Sequence, residues 1–244
     1  MRDLRIILIL TLLAIGILAT PFRATAEPFK DLVFLTENYA PFNYKKDGKA
    51  QGIVVDVLLE MFRQAGSTKG LKDIKVLPWA RGYKLAQEKK GTVLFSTART
   101  EPRENMFKWV GPVWMSKHSV IAKKDRKIRI QSDKDFDKFK IGAVREDAGE
   151  QLLYARGVDK KSIYRTNSSK STARMLAAGR IDLWAYGARV ALFNLEKLGH
   201  DPNDYEVVFV LRESPLYFAV QKDTDDQLVG RLQAALDQAL AARK

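Results

Sequence analysis

The sequence has 244 residues, a formal net charge of +13, two histidines and no cysteine. The missing thiol excludes disulfides, a lipid tether at cysteine and cysteine-ligated metal. The length fits one or two domains with a sizeable core. Lysines come in scattered short pairs, Lys45-Lys46, Lys89-Lys90 and Lys160-Lys161, rather than in a block interleaved with aromatics. That distribution reads as a solvated basic surface and not as a nucleic-acid interface.

In chain order, Arg2 and Arg5 precede an apolar run over 6–19, and Ala24-Thr25-Ala26 follows as a small-x-small site. This is the layout of a cleaved secretory signal. The 14-residue run is shorter than the roughly 20 residues that span a bilayer. Cleavage leaves 218 residues from Glu27 onward; Arg2, Arg5, Arg23 and Asp3 go with the leader, so the net charge falls to +11. The mature protein is expected to be soluble, periplasmic and monomeric.

The rest alternates strand-like and helix-like segments, which predicts an α/β fold. Residues 31–36 read as a strand. Gly52 opens a helix with Val55, Leu58, Leu59 and Phe62 at helical spacing, stopped by Gly66. A strand over 74–78, a helix over 80–90 ended by Gly91, and a buried strand over 92–97 complete a first set. Residues 116–123 run extended into a second set. There Ser132 and Asp135 begin a short helix and 141–144 is a strand. Asp147 with Glu150 gives a capping-box pattern for a helix ended by Gly157. A strand over 162–166, a helix capped by Ser169 and ended by Gly179, a strand over 181–186, a helix over 188–198 and a strand over 206–211 follow. The chain returns to extended structure at 216–221 and ends in a helix with Leu228, Leu232, Ala235, Leu236, Ala239 and Leu240 on one face. Two similar α/β sets without a floppy linker predict two lobes joined by crossing strands, with a ligand cleft between them.

Several chemistries lack their parts. There is no HExxH, no GxSxG and no phosphate-binding glycine pattern after a strand. No metal or cofactor is expected. His118, in the extended segment, and His200, in a loop, read as structural or solvated. What remains is a binding constellation. Glu37-Asn38-Tyr39-Ala40-Pro41-Phe42 lies just past a strand, where α/β sheets bind ligands. Ser96-Thr97-Ala98-Arg99-Thr100-Glu101-Pro102-Arg103 runs from a buried strand into a helix start that Thr100 can cap. Backbone N–H groups there, with a guanidinium, make an anion site.

The segments YAPFNY, GIVVDVLLEMF, PWARGY, FSTARTEPRE, FKWVGPVW, IGAVRED and AAGRIDLWAYG, in this order and spacing, resemble the bacterial extracellular solute-binding proteins of family 3. These are the periplasmic receptors of polar amino-acid ABC importers and their relatives. The resemblance implies the type II periplasmic-binding-protein fold, with residues 27–118 and 213–244 in one lobe and 119–212 in the other. It implies a membrane permease as partner and no enzymatic activity. It places Arg103 on the ligand's carboxylate, Ser96 and the Ala98 N–H on positions that contact the carboxylate or the ammonium, Tyr39 and Trp79 as covering aromatics, and Ala148 at a helix start facing the ligand. The sequence departs from the family at two points. Gly187 stands where amino-acid binders carry the acid that takes the ligand's ammonium. Ala148 and Gly149 replace a hydroxyl residue. Glu37, Glu146 and Asp147 are candidate replacements for the acid. Trp184 and Tyr186, near the missing acid, read either as lining a more aromatic pocket or as the core of a buried strand. The same residues also suit two further readings: a cyclohexadienyl-dehydratase-like enzyme with a buried Glu37 or Glu146 as acid or base, and a soluble sensor that docks on a membrane receptor.

Overall fold

The computed structural model describes residues 27–243; the expected signal segment over 1–26 lies outside them. Among the described residues, ten strands and six α-helices form, and eight of the strands make one continuous sheet. Strands β1 (Val33–Thr36), β4 (Ile74–Val76) and β5 (Thr92–Ala98) are parallel, with Phe34 beside both Ile74 and Val93. Every residue of β5 is buried, as expected for a parallel strand covered on both faces. Helix α1 (Ile53–Gln64) buries Val54, Val55, Val57, Leu58, Met61 and Phe62, and Phe62 meets Phe34 edge-on at 4.9 Å. Helix α2 (Trp79–Glu88) follows β4. These elements form the first lobe.

The second lobe repeats the plan with β7 (Ile141–Val144), β8 (Ile163–Thr166) and β9 (Leu183–Gly187), again parallel, and helices α3 (Ala148–Ala155), α4 (Ser169–Ala177) and α5 (Ala188–Lys197). A terminal helix, α6 (Asp226–Ala241), buries Leu232, Ala235, Leu236 and Ala239 and packs against α1 of the first lobe.

Two strands of 17 residues each, β6 (Phe107–Lys123) and β10 (Tyr205–Gln221), join the lobes. They pair antiparallel along nearly their whole length. The far end of β10 pairs with β5 in the first lobe, and the far end of β6 pairs with β9 in the second. The sheet order is therefore β4-β1-β5-β10-β6-β9-β7-β8. The extended segments expected separately at 206–211 and 216–221 are one strand, and the segment expected at 116–123 begins nine residues earlier, at Phe107. A short hairpin, β2 (Tyr44–Lys46) and β3 (Lys49–Gln51), stands apart from the main sheet.

The helix starts differ in detail from the sequence reading. Ser168, not Ser169, caps α4 by accepting from the Ser171 N–H. Asp147 caps α3 through the Gly149 N–H, but Glu150 accepts from the Glu146 N–H, one residue before the position a capping box uses. Thr100 precedes a 3₁₀ turn over Glu101–Met106 and its hydroxyl makes no cap.

Candidate functional site

The parallel strands of both lobes aim their carboxyl ends at each other, where open α/β sheets bind ligands. Glu37 and Tyr39 follow β1, and Trp79 opens α2 just after β4. Ser96 and Ala98 end β5, and Arg103 lies in the turn after it. From the other lobe Asp147 and Ala148 follow β7. All seven sequence-predicted site residues, Glu37, Tyr39, Trp79, Ser96, Ala98, Arg103 and Ala148, line one enclosed cavity between the lobes. His118, Asp147 and Leu216 complete its wall. The cavity has room for about one water molecule. A wider opening of about 450 Å³ adjoins it, sharing Glu37 and Trp79 and bounded by Lys45, Asn167, Lys170 and Asn194.

Arg103 is fully buried. Its Nε donates to Gln151 Oε1 at 2.9 Å, one Nη donates to the Glu146 carbonyl at 2.9 Å, and the other donates to the Ala98 carbonyl at 3.3 Å. The guanidinium lies over the Trp79 and Tyr83 rings, 5.2 and 4.9 Å from their centres. All its hydrogen-bond acceptors are neutral, so the positive charge has no directly bonded anion. Burial lowers its proton affinity, against the opposing pull of Tyr83, Asp147 and Glu37. The Glu146 carbonyl also accepts from Trp79 Nε1 at 2.7 Å. Glu146 holds that carbonyl in place with a left-handed backbone, φ 62°, a costly conformation for a residue with a side chain. Ser96 is also left-handed, φ 60°.

Two buried carboxylates share the cavity. Burial raises the proton affinity of Glu37 well above the usual carboxylate range, and the negative charge of Asp147 adds to that. Glu37 accepts from the Tyr186 hydroxyl at 3.4 Å. Burial also raises Asp147, opposed by the Gly149 N–H and by Arg103. Among the described residues neither acid enters an ion pair, and Glu146, the third candidate acid, pairs outward with Arg165 at 3.0 Å. Trp184 and Tyr186 are fully buried and stack on each other, with centres 5.3 Å apart. They form the core of β9, and neither lines the cavity.

The departure at Gly187 has a steric counterpart. A Cβ at Gly187 would lie 2.1 Å from the Tyr39 hydroxyl oxygen. Tyr39 therefore fills the space a side chain at 187 would need, and its hydroxyl sits 3.3 Å from Ser116 Oγ. His118 and Leu216 are the wall residues that the sequence reading missed, and His118 is the polar one. It is 2% exposed, so it is not solvated, and neither ring nitrogen has a hydrogen-bond partner. Burial, followed by the charge of Arg103, lowers its pKa to about 4, so it is neutral at pH 7. Ser116 and His118 lie on one face of β6, and both are buried. Among the described residues no cluster of three or more acids and histidines could hold a metal ion, and no helix is long and apolar enough to cross a membrane.

The model of the bacterial extracellular solute-binding proteins, family 3, matches residues 32–244. The chain belongs to this family. No protein with a curated description matches it. Among solved structures, a histidine kinase sensor domain with similarity to periplasmic binding proteins superposes with a TM-score of 0.74 at 18% identity, covering 87% of this chain and 94% of that one. A substrate-binding protein of an ABC uptake transporter from Streptococcus pneumoniae, with bound histidine, gives 0.74 at 18%, covering 87% and 88%. An ancestral arginine-binding protein bound to arginine gives 0.71 at 19%, covering 87% and 94%. At these identities the likeness establishes the two-lobed fold. Membership in the family makes the chain a solute-binding protein.

Proposed function

We propose that this protein is an exported receptor whose lobes, dividing at the paired residues His118 and Arg212, close over a zwitterionic amino acid or a related carboxylate-bearing amine. The observation that supports this is the charge layout of the cavity. A buried arginine has no bonded anion and two buried carboxylates have no bonded cation; they act on one another only through space across the cavity. Each isolated charge is costly in a dry site and is relieved by a ligand of opposite sign. The solute carboxylate binds Arg103 and the Ser96 hydroxyl. Its ammonium faces Glu37 and Asp147, which replace the acid absent at Gly187. Tyr39, Trp79, Ala98 and Ala148 line the space it takes when the lobes move apart, because the cavity as it stands holds about one water molecule. Delivery to an ABC permease fits the family and the transporter-derived neighbour, while the histidine kinase sensor domain among the neighbours favours ligand sensing as a second reading.

The test is a thermal-shift panel on residues 27–244, unfolded and refolded to strip carried-over solute. It contains arginine, histidine and glutamine, their amides, their decarboxylated amines, and carboxylates without an amine. Saturation at 100 times Kd adds about 2.7 kcal/mol, a shift of about 5–10 °C for a chain of this size. Stabilisation by amino acids above both single-charge sets is expected. Equal stabilisation by the amine-free carboxylates would remove Glu37 and Asp147 from recognition. Turnover of prephenate or arogenate would move the protein to the enzymes. Export through a cleaved signal predicts Glu27 as the first residue of the secreted protein.

A further inference from the structure

We propose that the His118 imidazole is a third donor to the bound solute's carboxylate, beside Arg103 and Ser96, and that it sets the preference for a carboxylate over its amide. This rests on the zwitterion reading above and adds a residue from the connecting strand, outside both loop sets.

Three observations carry it. His118 lines the same enclosed cavity as Arg103 and Ser96. Its two ring nitrogens and Ser96 Oγ are buried polar atoms without protein partners, and a native structure rarely leaves such atoms unmatched without a functional reason. A packing histidine would instead bond to a neighbouring carbonyl or hydroxyl. The topology then sorts the cavity by chemistry. The donors come from the middle of the sheet: Ser96 on β5, Arg103 in the turn after it, and His118 on β6. The acids come from β1 and β7, on either side. A neutral imidazole keeps one N–H, and the nearby guanidinium favours an acceptor that carries negative charge. His118 also pairs with Gly187 across β6 and β9, and the Tyr39 hydroxyl fills the space that a side chain at 187 would take.

Calorimetric titration of residues 27–244 with L-arginine, L-histidine and L-glutamine, each against its carboxamide, tests this in the unaltered protein and in His118→Leu, His118→Gln and His118→Asn. Removing a donor to a charged acceptor costs about 1.5–3 kcal/mol. His118→Leu is therefore expected to weaken the amino acid that binds by tenfold to a hundredfold while leaving its amide within about twofold. An amide N–H at the position of Nε2 or Nδ1 restores part of the loss, so rescue by Gln or by Asn identifies the donating nitrogen. Equal losses for acid and amide, or no loss, overturn the proposal and leave the zwitterion reading standing. Failure of every amino acid to bind the unaltered protein overturns both. Should the leucine variant not fold, Gln and Asn carry the test, because a purely structural role would not make the acid-to-amide ratio differ between them.

Discussion

Tyr39 and Gly187 occupy one volume between them. The glycine is not required by its backbone, whose φ of −61° suits any residue. It is required by space, because a Cβ would overlap the Tyr39 hydroxyl at 2.1 Å and crowd its ring carbon at 3.0 Å. Gly187→Ala is expected to destabilise by about 1–3 kcal/mol, the usual cost of overpacking, and Tyr39→Phe to recover part of that cost. Urea unfolding of the two single variants and the double variant measures it; strict additivity would mean that the two residues are not in contact. His118 gives a second prediction, with its own pH window. The unfolded chain takes up a proton at His118 near 6.5, whereas the folded protein takes it up only near 4. Between those values the unfolded state binds more protons, so stability falls as pH falls through the window, by about 3 kcal/mol in all. Glu37 has the opposite sign. Its folded proton affinity is raised, so the stability it affects is greatest at low pH and declines as pH rises above the ordinary carboxylate range. His118→Gln should flatten the loss between pH 7 and pH 4, and Glu37→Gln should raise stability at pH 7. An unchanged pH slope in His118→Gln would contradict a neutral buried imidazole.

The start of α3 is fixed by contact as well as by capping. Gly149 places its backbone so close to β9 that a Cβ would lie 2.5 Å from the Ala185 carbonyl oxygen. The family's hydroxyl at this helix start is absent, yet the Asp147 cap keeps the first turn tight and holds Ala148 against the cavity. Gly149→Ala is therefore expected to cost about 1–3 kcal/mol and to weaken solute binding as well, because the helix start moves with Asp147. A stability loss with unchanged affinity would show that Asp147 does not follow the helix. The elements also separate what the sequence could show from what it could not. Helical spacing in α1 and α6, and the apolar runs of β5, β7 and β9, were legible because each buries one face or both. The nine residues before Ser116 were not, because Gly111 and Pro112 read as breakers. In the structure Gly111 has a φ of 155° and lies against the Tyr217 ring, and the strand continues through it. Pro215 interrupts the sequence pattern of β10 in the same way, yet it pairs in register with Met115; the ladder absorbs Gly111 and Pro112 through the register shift between Leu216 and Phe218. The site was legible where it follows parallel strands, since strand-to-helix turns have sequence signals. His118 was not, because a histidine in a long strand gives no sign of which face meets a cavity that two lobes build together.

At the scale of the molecule, the two lobes touch through contacts that need no ligand atom. Arg103 and Trp79, from the first lobe, both donate to the carbonyl of Glu146 in the second. Arg103 also donates to the Gln151 side chain, and the Ser169 hydroxyl reaches the Asn38 carbonyl at 3.4 Å. Solute affinity then depends on two separable quantities: the solute's own contacts, and the balance between open and closed lobes. A change in the second rescales the affinity of every solute by the same factor. Gln151 suits a test because it bonds to Arg103 at 2.9 Å but does not line the enclosed cavity. Gln151→Met removes one interlobe hydrogen bond of about 0.5–1.5 kcal/mol, or up to about 3 kcal/mol given the charged donor. Affinity should fall by severalfold to a hundredfold, by the same factor for every amino acid that binds and for its amide. Small-angle scattering of the solute-free variant should show a larger radius of gyration than that of the unaltered protein. A loss that differs from one solute to another would mean that Gln151 acts by orienting Arg103 toward the carboxylate, because closure alone has no means of telling solutes apart.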